Sequence, residues 1–143
     1  MNILKIKRLD KSVEMPMYAH DDDACFDVCV NETEIVKAGE SYCFGTGLAF
    51  EIPDGWVMKC HVRSSVGIKR HLILSNGTGI IDAGYRGELH VALTNLGKED
   101  VCVVAGQRMI QCELCKVNHF RIVEADTLSE TDRGTGGIGS TGV

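Results

Sequence analysis

Only 2 prolines occur among 143 residues, and no apolar run approaches the length of a bilayer span. With 44% apolar residues, the scarcity of proline fits an ordered globular chain. The missing run leaves out a membrane-spanning helix. Positive charge is in deficit too: the formal net charge of −5 argues against a general binder of nucleic-acid backbones. An anionic ligand would therefore need local positive contacts or a metal. The opening MNILKIKRLD alternates apolar residues with lysines and lacks the apolar stretch of a secretory signal. No repeat of 20 to 50 residues is visible. Cys112-Glu-Leu-Cys115 has zinc or redox spacing, but no second C-x-x-C and no H-x-x-x-H pair completes a zinc site.

Cysteine, by contrast, is plentiful. Seven is an odd number, and a domain of this length can bury its core without cross-links. Free thiols in a reducing, cytoplasmic compartment are expected. On a strand covering 109–117, Cys112 and Cys115 would point to opposite faces, which favours packing over ligation.

The dominant period is two. Trp56, Met58, Cys60 and Val62 share one face against Lys59, His61 and Arg63, and Leu89, Val91 and Leu93 alternate with Glu88, His90 and Thr94. Leu4 and Ile6 against Lys5 and Lys7 predict a short opening strand. Turn signals recur at Gly39, Gly55, Asn76-Gly77, Gly84, Gly97 and Gly106. Many short strands between such turns describe an all-β domain, a barrel or sandwich. One segment departs: Ser64 and Ser65 could cap a helix of a turn or two running to His71. The likeness of 36–40 to 103–107 is read as two similar hairpin turns.

Four places hold polar residues that packing does not require. Asp27 sits between Phe26 and Val28 in an apolar strand. Arg63-Ser64-Ser65 ends a strand where a helix could begin, offering donors to phosphate oxygens. The stretch NGTGIIDAGYRG, residues 76–87, reads as a hairpin with Asp82 and Tyr85 near its bend. In QRMIQ, Arg108 and Gln111 fall close together at a turn and strand start. Beyond them, TDRGTGGIGSTGV matches G-x-G-x-x-G literally from Gly134 to Gly139, but no flanking strand and helix support a dinucleotide site. A frayed chain end and a mobile arm that wraps an anion, with Arg133 as its charge, are the remaining readings.

Taken in order, residues 24–28, 63–67, 76–87, 106–111 and 133–142 resemble the five motifs of the trimeric dUTP diphosphatase (dUTPase) family. The resemblance implies a distorted jelly-roll-like β-barrel over residues 1–128, with 129–143 a flexible glycine-rich arm closing over the active site. It implies hydrolysis of dUTP to dUMP and pyrophosphate by water attack on the α-phosphorus, with Mg²⁺ on the triphosphate. That reaction keeps uracil out of DNA and supplies dUMP for thymidylate synthesis. Asp82 would be the general base. Tyr85 would pack under the deoxyribose, and Asn76 with the backbone around Gly79 and Ile81 would read uracil.

Arg63, Ser64, Ser65 and Gln111 would serve the phosphates, Arg108 would do the same or support the trimer or arm, and Asp27 would hold Mg²⁺ through water. Arg133, Ile138, Gly139 and Ser140, with Thr141, would come from the arm of another subunit of a homotrimer. Two positions depart from the family pattern. Ile138 replaces the usual stacking aromatic, which implies weaker substrate binding, and Cys25 replaces a glycine beside Asp27. The related dCTP deaminases need a glutamate where Ala92 stands. Some viral members of the family also bind regulatory proteins, so a nucleotide-gated partner is an additional expectation.

Overall fold

The computed structural model describes residues 3–138 and 140. Along the chain run β1 (Lys5–Arg8), β2 (Phe26–Cys29), β3 (Glu34–Val36), β4 (Ser41–Glu51) and β5 (Trp56–Val62). They are followed by α1 (Ser64–Arg70), β6 (Leu72–Leu74), β7 (Gly79–Asp82), β8 (Glu88–Asn95), β9 (Val101–Val103) and β10 (Arg108–Lys116). The all-β expectation holds. Among the described residues the strands form three antiparallel sheets, ordered β1-β4-β8-β6, β2-β10-β5-β7 and β3-β9.

The alternating patterns set which faces are buried. Met58 and Cys60 of β5 and Leu89, Val91 and Leu93 of β8 enter one core with Phe26, Phe44, Phe50 and Ile110. On β4 the alternation fails, since every residue from Thr46 to Phe50 is buried. A bulge explains this. The β4–β8 register shifts between Gly45 and Ala49, and Gly47 takes φ +67. A Cβ on Gly47 would lie 2.9 Å from Val13 Cγ1, so only glycine fits. The Glu88 carboxylate holds the bulge by accepting the N–H groups of Thr46 at 3.0 Å and Gly47 at 2.7 Å.

Among the described residues no strand pairs with its neighbour in the chain. This corrects the hairpin readings. Residues 36–40 lead from the β3–β9 sheet to β4, and 103–107 lead from it to β10. Residues 76–87 likewise cross over, with β7 on β5 and β8 on β4 and β6. A glycine turn specifies that the chain reverses; which strand it then meets is decided by the apolar faces that must be covered. The cap reading is corrected as well: Arg63 occupies the N-cap position without a side-chain cap bond, and both serines lie inside the helix.

Cys112 lies in the core opposite Cys60, their sulfurs 3.3 Å apart, whereas Cys115 is half-buried. The hydrogen bond to Cys60, together with burial, holds the Cys112 thiol far above its ordinary pKa. Asn95, just before the turn at Gly97, is fully buried at the end of β8. Its Nδ2 donates to the carbonyls of Val36 and Glu99, and its Oδ1 accepts the Gly97 N–H. Asn95→Ala strands these groups and is expected to cost about 3 kcal/mol of stability, measured by urea unfolding.

Candidate active site

Two clusters of the expected residues form at opposite ends of the β2-β10-β5-β7 sheet. The first is a cleft of about 300 Å³ lined by Asp23, Cys25, Asp27, Arg63, Ser64, Arg108 and Gln111, among others. Asp27 projects from β2 with Gln111 of β10 directly opposite. Arg108 and Gln111 are three residues apart, so on a regular strand they would face opposite ways. A bulge between Arg108 and Ile110 restores the parity. Met109 and Ile110 are consequently both buried, and both polar side chains reach one cleft.

Charge in this cleft is paired internally. The Arg63 Nε lies 3.1 Å from Asp27 Oδ1, and Arg108 Nη1 lies 3.3 Å from Asp27 Oδ2. The Arg63 backbone N–H donates to Met109 at the bulge, which fixes where its side chain starts. Ser64 lines the cleft and Ser65 is exposed beside it on α1. Burial holds the Cys25 and Cys29 thiols above the ordinary value, with nearby carboxylates adding to the effect. Neither is set up as a nucleophile.

The second cluster surrounds a shallow depression of about 280 Å³ lined by Ile80, Ile81, Asp82, Tyr85, Glu88, Leu89 and His90. Asp82 ends β7 exposed, facing Val57 across the ladder. Tyr85 folds back over Gly87 and donates its hydroxyl to the Glu88 carbonyl at 2.9 Å. A Cβ on Gly87 would fall 2.4 Å from the Tyr85 Oη, so the glycine makes room for the ring. Asn76 and Gly79 lie at the start of β7, away from Asp82; Asn76 is exposed in the turn and Gly79 is buried against Cys60.

One chain does not bring the two clusters together. Asp82 pairs with Val57, and Arg63 follows six residues further along the same strand. At ~3.3 Å per residue the separation is about 20 Å. Among the described residues, no hydrogen bond joins the arm to either cluster. Arg133 Nε donates to Gly136 within the arm itself, and Ile138 and Ser140 are exposed. Gly139 and Thr141 lie outside the described residues.

Sequence reasoning missed Glu88, read as a solvent-facing strand residue, and Arg70. Arg70 reaches from α1 to the Cys102 carbonyl and to Gln107 Oε1 at 3.0 Å, bracing the turn that delivers Arg108. The adjacent Met109-Ile110 pair in an otherwise alternating strand was the available signal for the bulge.

The dUTPase family model matches residues 11–142. The chain belongs to the dUTPase family. It is 40% identical over 140 residues to the deoxyuridine 5'-triphosphate nucleotidohydrolase of Clostridium acetobutylicum, covering 98% of this chain and 97% of that one. The protein of the same name from Rickettsia felis is 41% identical over 143 residues, covering 98% and 97%. Among solved structures, the Staphylococcus bacteriophage 80alpha dUTPase with dUPNHPP matches at TM-score 0.88 and 29% identity, with both chains fully covered. A variant dUTPase from phage phi11 of S. aureus, described with a structural Mg(II) ion, shares the fold at TM-score 0.83 and 24% identity. That match covers 90% of this chain and 100% of the phage one. The dUTPase motif residues thus fall in the Asp27 cleft, around Asp82 and Tyr85, at the start of β7 and in the arm.

Proposed function

We propose that this chain hydrolyses dUTP to dUMP and pyrophosphate at a site assembled from several copies of itself. The observation that carries this is the spacing of the two clusters. The first supplies guanidinium, hydroxyl and amide donors for phosphates; the second supplies a carboxylate beside an aromatic ring. Separated by about 20 Å in one chain, they can act on one nucleotide only across a subunit boundary. A trimer with shared sites has further support in residues 118–130, where Phe120, Ile122, Val123 and Leu128 lie exposed. Such a stretch fits docking against a partner copy.

In the shared site, Asp82 takes the proton of a water attacking the α-phosphorus, and the negative charge of the carboxylate orients that water. Tyr85, held by the Glu88 carbonyl, packs against the sugar and leaves no room for a 2′-hydroxyl. Asn76 and the backbone of Gly79 and Ile81 read uracil. Arg63, Ser64, Ser65, Arg108 and Gln111 receive the phosphates. The arm, residues 129–143, closes over the nucleotide, Arg133 reaching the terminal phosphate with Ser140 and Gly139 beside it. Ile138 covers the base by apolar contact alone.

The cleft fits a magnesium ion held mainly by water and phosphate. Among the described residues no group of three acidic, His or Cys side chains forms a direct cage, and one carboxylate suffices for such an ion. Asp27 would hold it through water, and the bound ion would neutralise charge on the triphosphate. The reading is tested by hydrolysis in ¹⁸O-water: label is expected in dUMP, and label in pyrophosphate would reject attack at the α-phosphorus. Gly87→Ala displaces the Tyr85 ring and is expected to lower the dUTP-over-UTP preference about tenfold, read as a ratio of kcat/KM. A second reading, nucleotide-gated binding of a regulatory protein, draws on the likeness to phage dUTPases described as controlling transfer of virulence genes. Pull-downs with and without dUTP test it.

A further inference from the structure

The Asp27 carboxylate uses both oxygens on guanidinium groups, Oδ1 on Arg63 at 3.1 Å and Oδ2 on Arg108 at 3.3 Å. These are the donors that the phosphates would need, if the cleft takes phosphates as proposed above. Asp27 is the most sheltered of the three, its side chain 19% exposed against 31% for Arg63 and 55% for Arg108. It is placed between them by the β10 bulge and the strand end at Val62. Two anions therefore compete for one pair of cations.

We propose that Asp27 is an internal competitor of the triphosphate, and that magnesium removes the competition by drawing the carboxylate away from Arg63 and Arg108. Metal and triphosphate then favour each other's binding through this one residue. Because the coupling is a difference in free energy, it acts equally in both directions. A carboxylate that served only as a metal ligand would change the metal-free affinity for an anion no more than any other carboxylate lining the cleft. A competitor makes that affinity rise when the carboxylate is removed. Asp23 supplies the control. It lines the same cleft, but its Oδ2 accepts the His20 backbone N–H rather than an arginine. Asp23→Asn changes net charge by the same amount as Asp27→Asn.

The experiment is titration calorimetry of the assembled protein with a non-hydrolysable imido analogue of dUTP and with inorganic triphosphate, each with magnesium and with EDTA. Asp27→Asn is expected to bind both probes about tenfold more tightly than wild type in EDTA, equivalent to about 1.4 kcal/mol, and to gain nothing from magnesium. Asp23→Asn is expected to keep the magnesium gain of the wild type. Asp27→Ala, which also removes the carboxylate, must reproduce the Asp27→Asn result, and thermal melts confirm that each variant is folded. The proposal is overturned if Asp27→Asn binds no more tightly in EDTA, if it retains the magnesium gain, or if Asp23→Asn tightens equally. Failure of the analogue to bind wild type under either condition would instead remove the nucleotide reading, and inorganic triphosphate would still report on the arginine pair.

Discussion

Asp82→Asn is expected to lower kcat for dUTP by about 10²–10⁴-fold while leaving KM nearly unchanged. The substitution keeps size and hydrogen-bonding shape but removes the capacity to take a proton from water. Asp82 is exposed at the end of β7, so it carries little of the fold. The turn after it is held by a backbone bond, Tyr85 N–H to the Asp82 carbonyl at 3.1 Å, which the variant keeps. The proposed phosphate-binding residues lie about 20 Å away on the same chain, so the substitution does not touch them. Stopped-flow pyrophosphate release would measure it. Near-normal turnover in a folded variant would move the base to another residue.

Mixing two inactive variants is expected to restore activity. Arg63→Ala would remove a proposed phosphate donor from one cluster, and Asp82→Asn the proposed base from the other. If each site draws these residues from different copies, random co-assembly regenerates both intact residues at about one site in four. Each variant alone is expected to be nearly inactive, while the refolded or subunit-exchanged mixture recovers about a quarter of wild-type turnover. A site contained in a single chain would give no recovery, because every chain would then lack one of its own residues. The ladder register makes this outcome a consequence of strand geometry: Val57 faces Asp82, and Arg63 lies beyond the far end of the same strand.

Much of the fold is legible in the sequence. The alternation on β5 and β8 marks the strand class and the buried faces, and the motif residues Asp27, Arg63, Ser64, Arg108 and Gln111 do meet in one cleft. Pairing was not legible. Turns at Gly39, Gly84 and Gly106 look like hairpin signals, yet each passes the chain between sheets, since burial of both faces decides the partner. The bulge at Met109 leaves only the adjacent Met109-Ile110 pair as its trace. One inserted residue leaves composition untouched but reverses which face Arg108 takes. Glu88 looked like an ordinary solvent-face residue because its role depends on the Thr46 and Gly47 N–H groups, some 40 residues away in the chain. The Asp27 pairing with two arginines has the same character. Each partner was named by its motif, and only the sheet order β2-β10-β5 shows that they meet.

Comparing pyrophosphate release from dUTP, dCTP, dTTP and UTP, with magnesium and the purified assembled protein, decides whether the chain is a dUTP-selective hydrolase. Release is expected to be rapid from dUTP and slow from the other three, because Asn76 and backbone groups would read uracil and Tyr85 would screen the sugar. Equal release from all four would contradict the assigned recognition, and none from any, with the protein folded and assembled, would contradict the enzymatic reading itself.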